Sequence, residues 1–157
     1  KIIGEMQTVS MGKILQNVIE QFEQESHLGI VKFKLPTKWP IVRCDVLKMS
    51  QVWQNLISNS IKYRGKLDQV EIKIGTRVSG SWCECWIEDN GSGIPSLEGK
   101  RIFKPFIRLD DSKQGSGIGL ATVARILEAH KGIIRLDSGY HDGARFYMRW
   151  PHHVSTR

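Results

Sequence analysis

Four short segments of this 157-residue chain set polar groups and glycines at spacings that could do chemistry. Asn55 and Asn59 stand four residues apart with Lys62 three further on, so a helix carrying them presents all three along one edge. Amide oxygens are hard, neutral ligands suited to Mg²⁺, which keeps several waters and shares its shell with phosphates, while a neighbouring lysine neutralises phosphate charge. In WIEDNGSGIP, residues 86–95, a strand-like apolar run ends in Asp89 and then Gly91 and Gly93. A carboxylate there can accept from an exocyclic amine, and the glycines let the backbone turn and approach a flat ligand. GSGIGLAT, residues 115–122, places Gly115, Gly117 and Gly119 before a helix, where free backbone N–H groups and the helix dipole favour an anion such as phosphate. RIFKPFIRL, residues 101–109, spaces Phe103 and Phe106 three apart beside Lys104 and Arg108, joining aromatic anchors to charge for a phosphate.

Each segment has a plainer reading on its own. Asparagines at a helix border are commonly just solvated, DNGSG builds a turn from its residue types alone, GSGIG serves as a hinge, and the two phenylalanines serve as satellite core. The glycine segment is neither a P-loop, since no Gly-Lys-Ser/Thr follows, nor a dinucleotide fingerprint, since its spacing is wrong and no strand precedes it.

The elements that must position these groups follow from periodicity. Ile14, Leu15, Val18, Ile19 and Phe22 recur at helical spacing over residues 11–26, with Ser10 as a cap. IVKFKLP alternates and stops at Pro36, and IVRC follows Pro40 as a second strand. From Asp45, a candidate cap, a long helix places Leu47, Val52, Trp53, Leu56, Ile57 and Ile61 on one broad face. QVEIKIGTRVS and SWCECWIED read as a hairpin about Gly80, and period two puts Cys83, Cys85, Ile87 and Asp89 on one face. Residues 95–117 break the rhythm, with one helical turn around EGKRIF, as a functional lid does. GIGLATVARILEAHKG then gives a third amphipathic helix closed by Gly132, and IIRLDSG with ARFYMRWP a closing hairpin. Helices mixed with hairpins predict an α/β chain of α+β type: a two-layer sandwich whose mixed, mostly antiparallel sheet is covered on one face by three helices.

The bounds agree. One domain spanning residues 1–157, with 40% hydrophobic residues, buries a core without staples. The net charge of +7 is spread along the chain without the concentrated basic face that nucleic-acid binding wants. Cys44, Cys83 and Cys85 form no zinc pattern and read as reduced cysteines packed in strands. No stretch approaches the 18 or so apolar residues of a membrane span, so a soluble, cytoplasmic domain is expected.

Taken together, QNLISNSIKY, DNGSGIP, RIFKPFIRL and GSGIGLATVARILEAHKG resemble, in order and spacing, the asparagine, first glycine, phenylalanine and second glycine boxes of the catalytic ATP-binding domain of sensor histidine kinases. The resemblance implies the Bergerat fold, with residues 96–116 as an ATP lid and residues 1–9 as the remnant of a linker from an upstream dimerisation domain. It implies ATP and Mg²⁺ as ligands. Asn59 would coordinate the metal with Asn55 assisting, Lys62 would meet phosphate and Tyr63 would lie against the adenine. Asp89 would take the adenine amino group, and Gly91, Gly93 and Ile94 would shape the base pocket. Gly115, Gly117, Gly119 and Leu120 would hold the triphosphate, reached from the lid by Arg108 or Lys113. The implied partners are a histidine-bearing dimerisation domain and a response regulator; the domain itself would be monomeric, without nucleic acid or membrane contact, though its parent could be membrane-anchored. The chain departs from the family at Arg145, where Thr or Ser is usual. It also lacks the phosphoacceptor box, since none of His27, His130, His141, His152 and His153 has that context. Two other readings stand beside this one: a serine kinase of the same superfamily, and a non-catalytic nucleotide-binding module.

Overall fold

The structure, a computed structural model, describes residues 3–25, 29–95, 98–105 and 119–152. Its strands and helices are β1 (Gln7–Ser10), α1 (Met11–Gln24), β2 (Val31–Lys34), β3 (Ile41–Cys44), α2 (Val46–Lys62), β4 (Val70–Ser79), β5 (Trp82–Asp89), α3 (Gly119–Ala129), β6 (Ile133–Leu136) and β7 (Arg145–Pro151). Five strands form a sheet in the order β2-β4-β5-β7-β6. Only the β2–β4 pair is parallel; the others are antiparallel. The three helices bury one stripe each against one face of it, as the two-layer expectation required.

The burial follows the sequence periods. α1 buries Met11, Ile14, Leu15 and Val18, and α2 buries Met49, Val52, Trp53, Leu56, Ile57 and Ile61. Along β5, Cys83, Cys85, Ile87 and Asp89 are all buried, as alternation predicts. The three cysteines are free and buried. Loss of water pushes the Cys44 thiol up to about 12, so it stays neutral as a small core residue.

One expectation needs correction. Leu47 is not on the apolar face of α2 but 83% exposed, because it lies two residues, roughly 200° of helical rotation, from Met49. IVRC forms the expected strand, β3, which pairs antiparallel with β1 in a separate two-stranded sheet. Through β1 the start of the chain runs beside β3, and the Gly4 amide donates to Asp45 Oδ2 at 2.7 Å. The two expected caps divide: the Asp45 carboxylate accepts from the Lys48 amide at 3.2 Å, whereas Ser10 occupies the N-cap of α1 without a side-chain bond.

The candidate nucleotide site

The C-terminal end of β5 meets the last turn of α2, and Asp89 sits at that junction. Only 7% of it is exposed. Its Oδ1 accepts from the amides of Gly91 at 3.0 Å and Ala144 at 3.2 Å, and the Ser60 hydroxyl of α2 also donates to the carboxylate. Burial raises the Asp89 carboxyl above the usual value near 3.8; the three hydrogen bonds pull the other way without cancelling it. The Gly91 contact is an Asx turn, so the plain turn reading of DNGSG is realised. Oδ1 makes that turn while the carboxylate as a whole stays buried among polar donors.

The glycines are needed for closeness. A Cβ on Gly91 would lie 2.6 Å from the Tyr63 carbonyl and 3.2 Å from Asp89 Oδ1. Gly143, at φ +149°, leaves no room for a Cβ against the Asp89 carbonyl. The Ser92 amide donates to the Tyr63 carbonyl at 3.0 Å, fastening the 89–94 turn to the end of α2. Tyr63 and Lys62 are thus held beside that turn, and Ile94 packs against the core behind it.

About two turns earlier on α2, the Asn55 amide donates to the Gly119 carbonyl at 3.4 Å. That contact brings the asparagine segment to the start of α3, whose second residue, Leu120, packs against the core. Asn59 is half-buried on the same edge, and its side chain makes no hydrogen bond to the described residues. Among the described residues no group of three or more His, Cys, Asp or Glu could hold a metal. The donors offered here are amide oxygens, a set that fits a hard cation completing its shell with water and phosphate.

Arg108, Lys113, Gly115, Gly117 and Phe106 lie outside the described residues, as does most of the 96–116 segment. Of that segment, Arg101–Phe103 form one turn of 3-10 helix, matching the turn expected around EGKRIF. Ile102 is 3% exposed and Phe103 meets Phe146 edge-on at 6.0 Å, so this part of the expected lid packs as satellite core.

Several residues at the site escaped the sequence reading. Tyr140 donates its hydroxyl to the Asp89 carbonyl at 3.1 Å. Loss of water and the nearby Glu88, Asp142 and Asp89 carboxylates push its phenol up to about 12, so it remains a donor. Ser60 lies on the buried apolar face of α2, roughly 140° of helical rotation from Asn55, where a lone serine among apolar residues is the signal that a buried polar partner waits there. Tyr140, Gly143 and Ala144 sit in a loop more than fifty residues away whose only cue is the turn-like SGYHDG. Arg145 faces away from the site: its guanidinium bonds Glu88 at 3.0 Å and Asp137 at 3.2 Å on the opposite face of the sheet.

A mixed sheet under three helices, with a buried carboxylate, a glycine turn and an asparagine-lined helix converging at one end, defines a nucleotide-binding ATPase-type domain. Residues 44–154 match the family described as "Histidine kinase-, DNA gyrase B-, and HSP90-like ATPase", and the chain belongs to it. It is 34% identical over 138 residues to the methanogenesis regulatory histidine kinase FilI of Methanothrix harundinacea, covering 88% of this chain and 16% of that protein. It is 41% identical over 115 residues to the phytochrome-like protein Cph1 of Synechocystis, covering 71% of this chain and 15% of that one. The structure superposes on full-length ShkA in complex with AMPPNP with a TM-score of 0.80, at 23% identity, over 96% of this chain and 32% of that one. The chain thus spans a minor part of each of these longer proteins.

Proposed function

We propose that this chain is the ATP-binding, phosphoryl-donating domain of a sensor histidine kinase, supplying the γ-phosphoryl of ATP to a histidine on a separate helical dimerisation domain for relay to a response regulator. The observation that carries the reading is Asp89: a buried carboxylate at a strand end, oriented by two amides and a hydroxyl, beside a helix edge bearing amides and a lysine. Similarity to FilI and Cph1 and the fold shared with ShkA, solved with AMPPNP, support it.

In this reading Asp89 accepts from the adenine amino group. Tyr140 and the Gly91 and Ala144 amides fix its position, so little reorganisation accompanies binding. Tyr63 lies against the base, with Gly91, Gly93 and Ile94 lining the pocket. Asn59, assisted by Asn55, would hold Mg²⁺, which supplies charge neutralisation on the phosphates when bound. Lys62, with Arg108 and Lys113, places positive charge at the phosphates, and the amides of Gly115, Gly117, Gly119 and Leu120 hold the chain of anions at the helix start. The chain's contribution is then positioning and charge, and the nucleophilic histidine comes from outside it.

The test is incubation of the chain with γ-labelled ATP, Mg²⁺ and a separately produced histidine-bearing dimerisation domain. Acid-labile label on that domain is expected. Acid-stable label on serine would replace the reading with a serine kinase, and tight nucleotide binding without transfer would replace it with a binding module.

A further inference from the structure

The helices cover one face of the five-stranded sheet, and the side chains on its other face have the wrong composition for a merely solvated surface. Trp82 and Trp86 of β5 and Tyr147 of β7 alternate with arginines from β4, β6 and β7, where threonine, lysine and glutamate ordinarily serve. Tryptophan, tyrosine and arginine are the types enriched at the energetic centres of protein interfaces. Trp86 is also seated there by construction. Its indole lies across β4 at Gly75, where a Cβ would collide with it, and a mid-strand glycine is otherwise a liability. Around Trp86 a cleft of about 320 Å³ is lined by Arg77, Arg135, Asp137, Arg145 and Tyr147.

The charges on this face are not balanced. Arg77 pairs with Glu84 at 2.7 Å, and Arg145 with Glu88 and Asp137. Arg135 and Arg149 have their guanidinium groups over the rings of Tyr147 at 4.6 Å and Trp82 at 4.4 Å, and neither forms an ion pair with a described residue. Lys32, Lys34 and Lys73 extend the positive charge over β2 and β4 against Glu71 alone.

We propose that this open face docks an acidic segment of a partner polypeptide, whose carboxylates take Arg135 and Arg149 while an apolar or aromatic side chain enters the cleft beside Trp86 and Tyr147. Charge complementarity selects the occupant. Glu84, Glu88 and Asp137 stand between the arginines and would repel an unbroken phosphate backbone, whereas a polypeptide can space its carboxylates to miss them. Stacked guanidinium groups keep their in-plane donors free for such carboxylates.

The test titrates the 157-residue chain with a peptide of about 12 residues alternating glutamate and tyrosine, reading the tryptophan indole N–H signals by NMR. The signals of Trp82 and Trp86 should move while those of Trp53 and Trp150, fully buried on the helix side, stay. Binding should weaken about tenfold or more between roughly 50 and 500 mM salt, and by a similar factor in the double variant Arg135→Gln, Arg149→Gln. Lys38→Gln, an exposed charge elsewhere, should leave it unchanged. Still Trp82 and Trp86 signals, or equal binding by the double variant with an unaltered melting curve, would overturn the proposal. Tighter binding of a short single-stranded DNA through the same signals would overturn it in favour of nucleic acid.

Discussion

Replacing Asp89 by asparagine separates two roles that a buried carboxylate can play. The oxygen of the substituted amide can still accept from the Gly91 and Ala144 amides, which in the parent chain meet at Asp89 Oδ1. What disappears is the negative charge and the second acceptor oxygen; in the proposed function an NH₂ would then face the adenine amino group, donor against donor. A hydrogen bond to a charged group is worth about 1.5 to 3 kcal/mol, so nucleotide affinity should fall roughly 10- to 150-fold, and the preference for ATP over GTP should blur. Stability should move differently. Because burial raises the Asp89 carboxyl above 3.8, the folded chain holds that proton more tightly than the unfolded one. The group's contribution is therefore fully present below the unfolded value and is lost as pH rises through the folded one. Asparagine does not titrate, so the variant's melting temperature relative to the parent should rise from acid to neutral pH. The assays are calorimetric titration with an ATP analogue and Mg²⁺ at neutral pH, and thermal melts across the acid range. Unchanged affinity and base preference would reduce DNGSG to a turn. A melting temperature that drops several degrees at neutral pH would show that the carboxylate is held for structure and not for a ligand.

Further outcomes follow from the same geometry. Asn59→Ala should abolish Mg²⁺-dependent nucleotide binding with the fold intact, checked by calorimetry beside circular dichroism. Gly143→Ala should cost about 1–3 kcal/mol for the backbone conformation alone and more for the collision with the Asp89 carbonyl, lowering both melting temperature and nucleotide affinity; Gly80→Ala, at φ +59° with open space around it, should cost stability but spare binding. His130→Ala should destabilise by about 1–3 kcal/mol, read by urea unfolding, because His130 Nε2 accepts from the Asp45 amide at 3.1 Å and its removal orphans that buried donor.

What the sequence made legible was whatever depends on neighbours along the chain. The faces of α1, α2 and β5, the Asp45 cap and the emergence of Asp89 on the buried face all follow from periods of 3.6 and 2. The pairing of β1 with β3 was not legible, because two four-residue strands separated by a helix and a further strand leave no local mark of partnership. His130 was hidden for a similar reason. It reads as an ordinary residue near a helix end, yet it closes a contact across 85 residues between the end of α3 and the N-cap of α2. Of the site, the asparagine edge and the carboxylate were visible, whereas the loop that holds the carboxylate, with Tyr140, Gly143 and Ala144, comes from the distant β6–β7 connection.

That loop also settles what Arg145 does. β5 and β7 pair so that Glu88 stands opposite Arg145, and the pleat sends consecutive residues to opposite faces. Asp89 therefore points into the helix-covered site while Glu88 points to the open face, and on β7 the chain delivers the Ala144 amide to the first and the Arg145 guanidinium to the second. An arginine at 145 places no charge beside the Asp89 carboxylate. Its partners are Glu88 and Asp137, and its guanidinium sits 4.7 Å from the ring centre of Tyr140, whose hydroxyl reaches back to the Asp89 carbonyl. Arg145 thus belongs to the arginine-rich open face, and among the described residues it meets the Asp89 end through Tyr140 and through the strand backbone that carries the Ala144 amide.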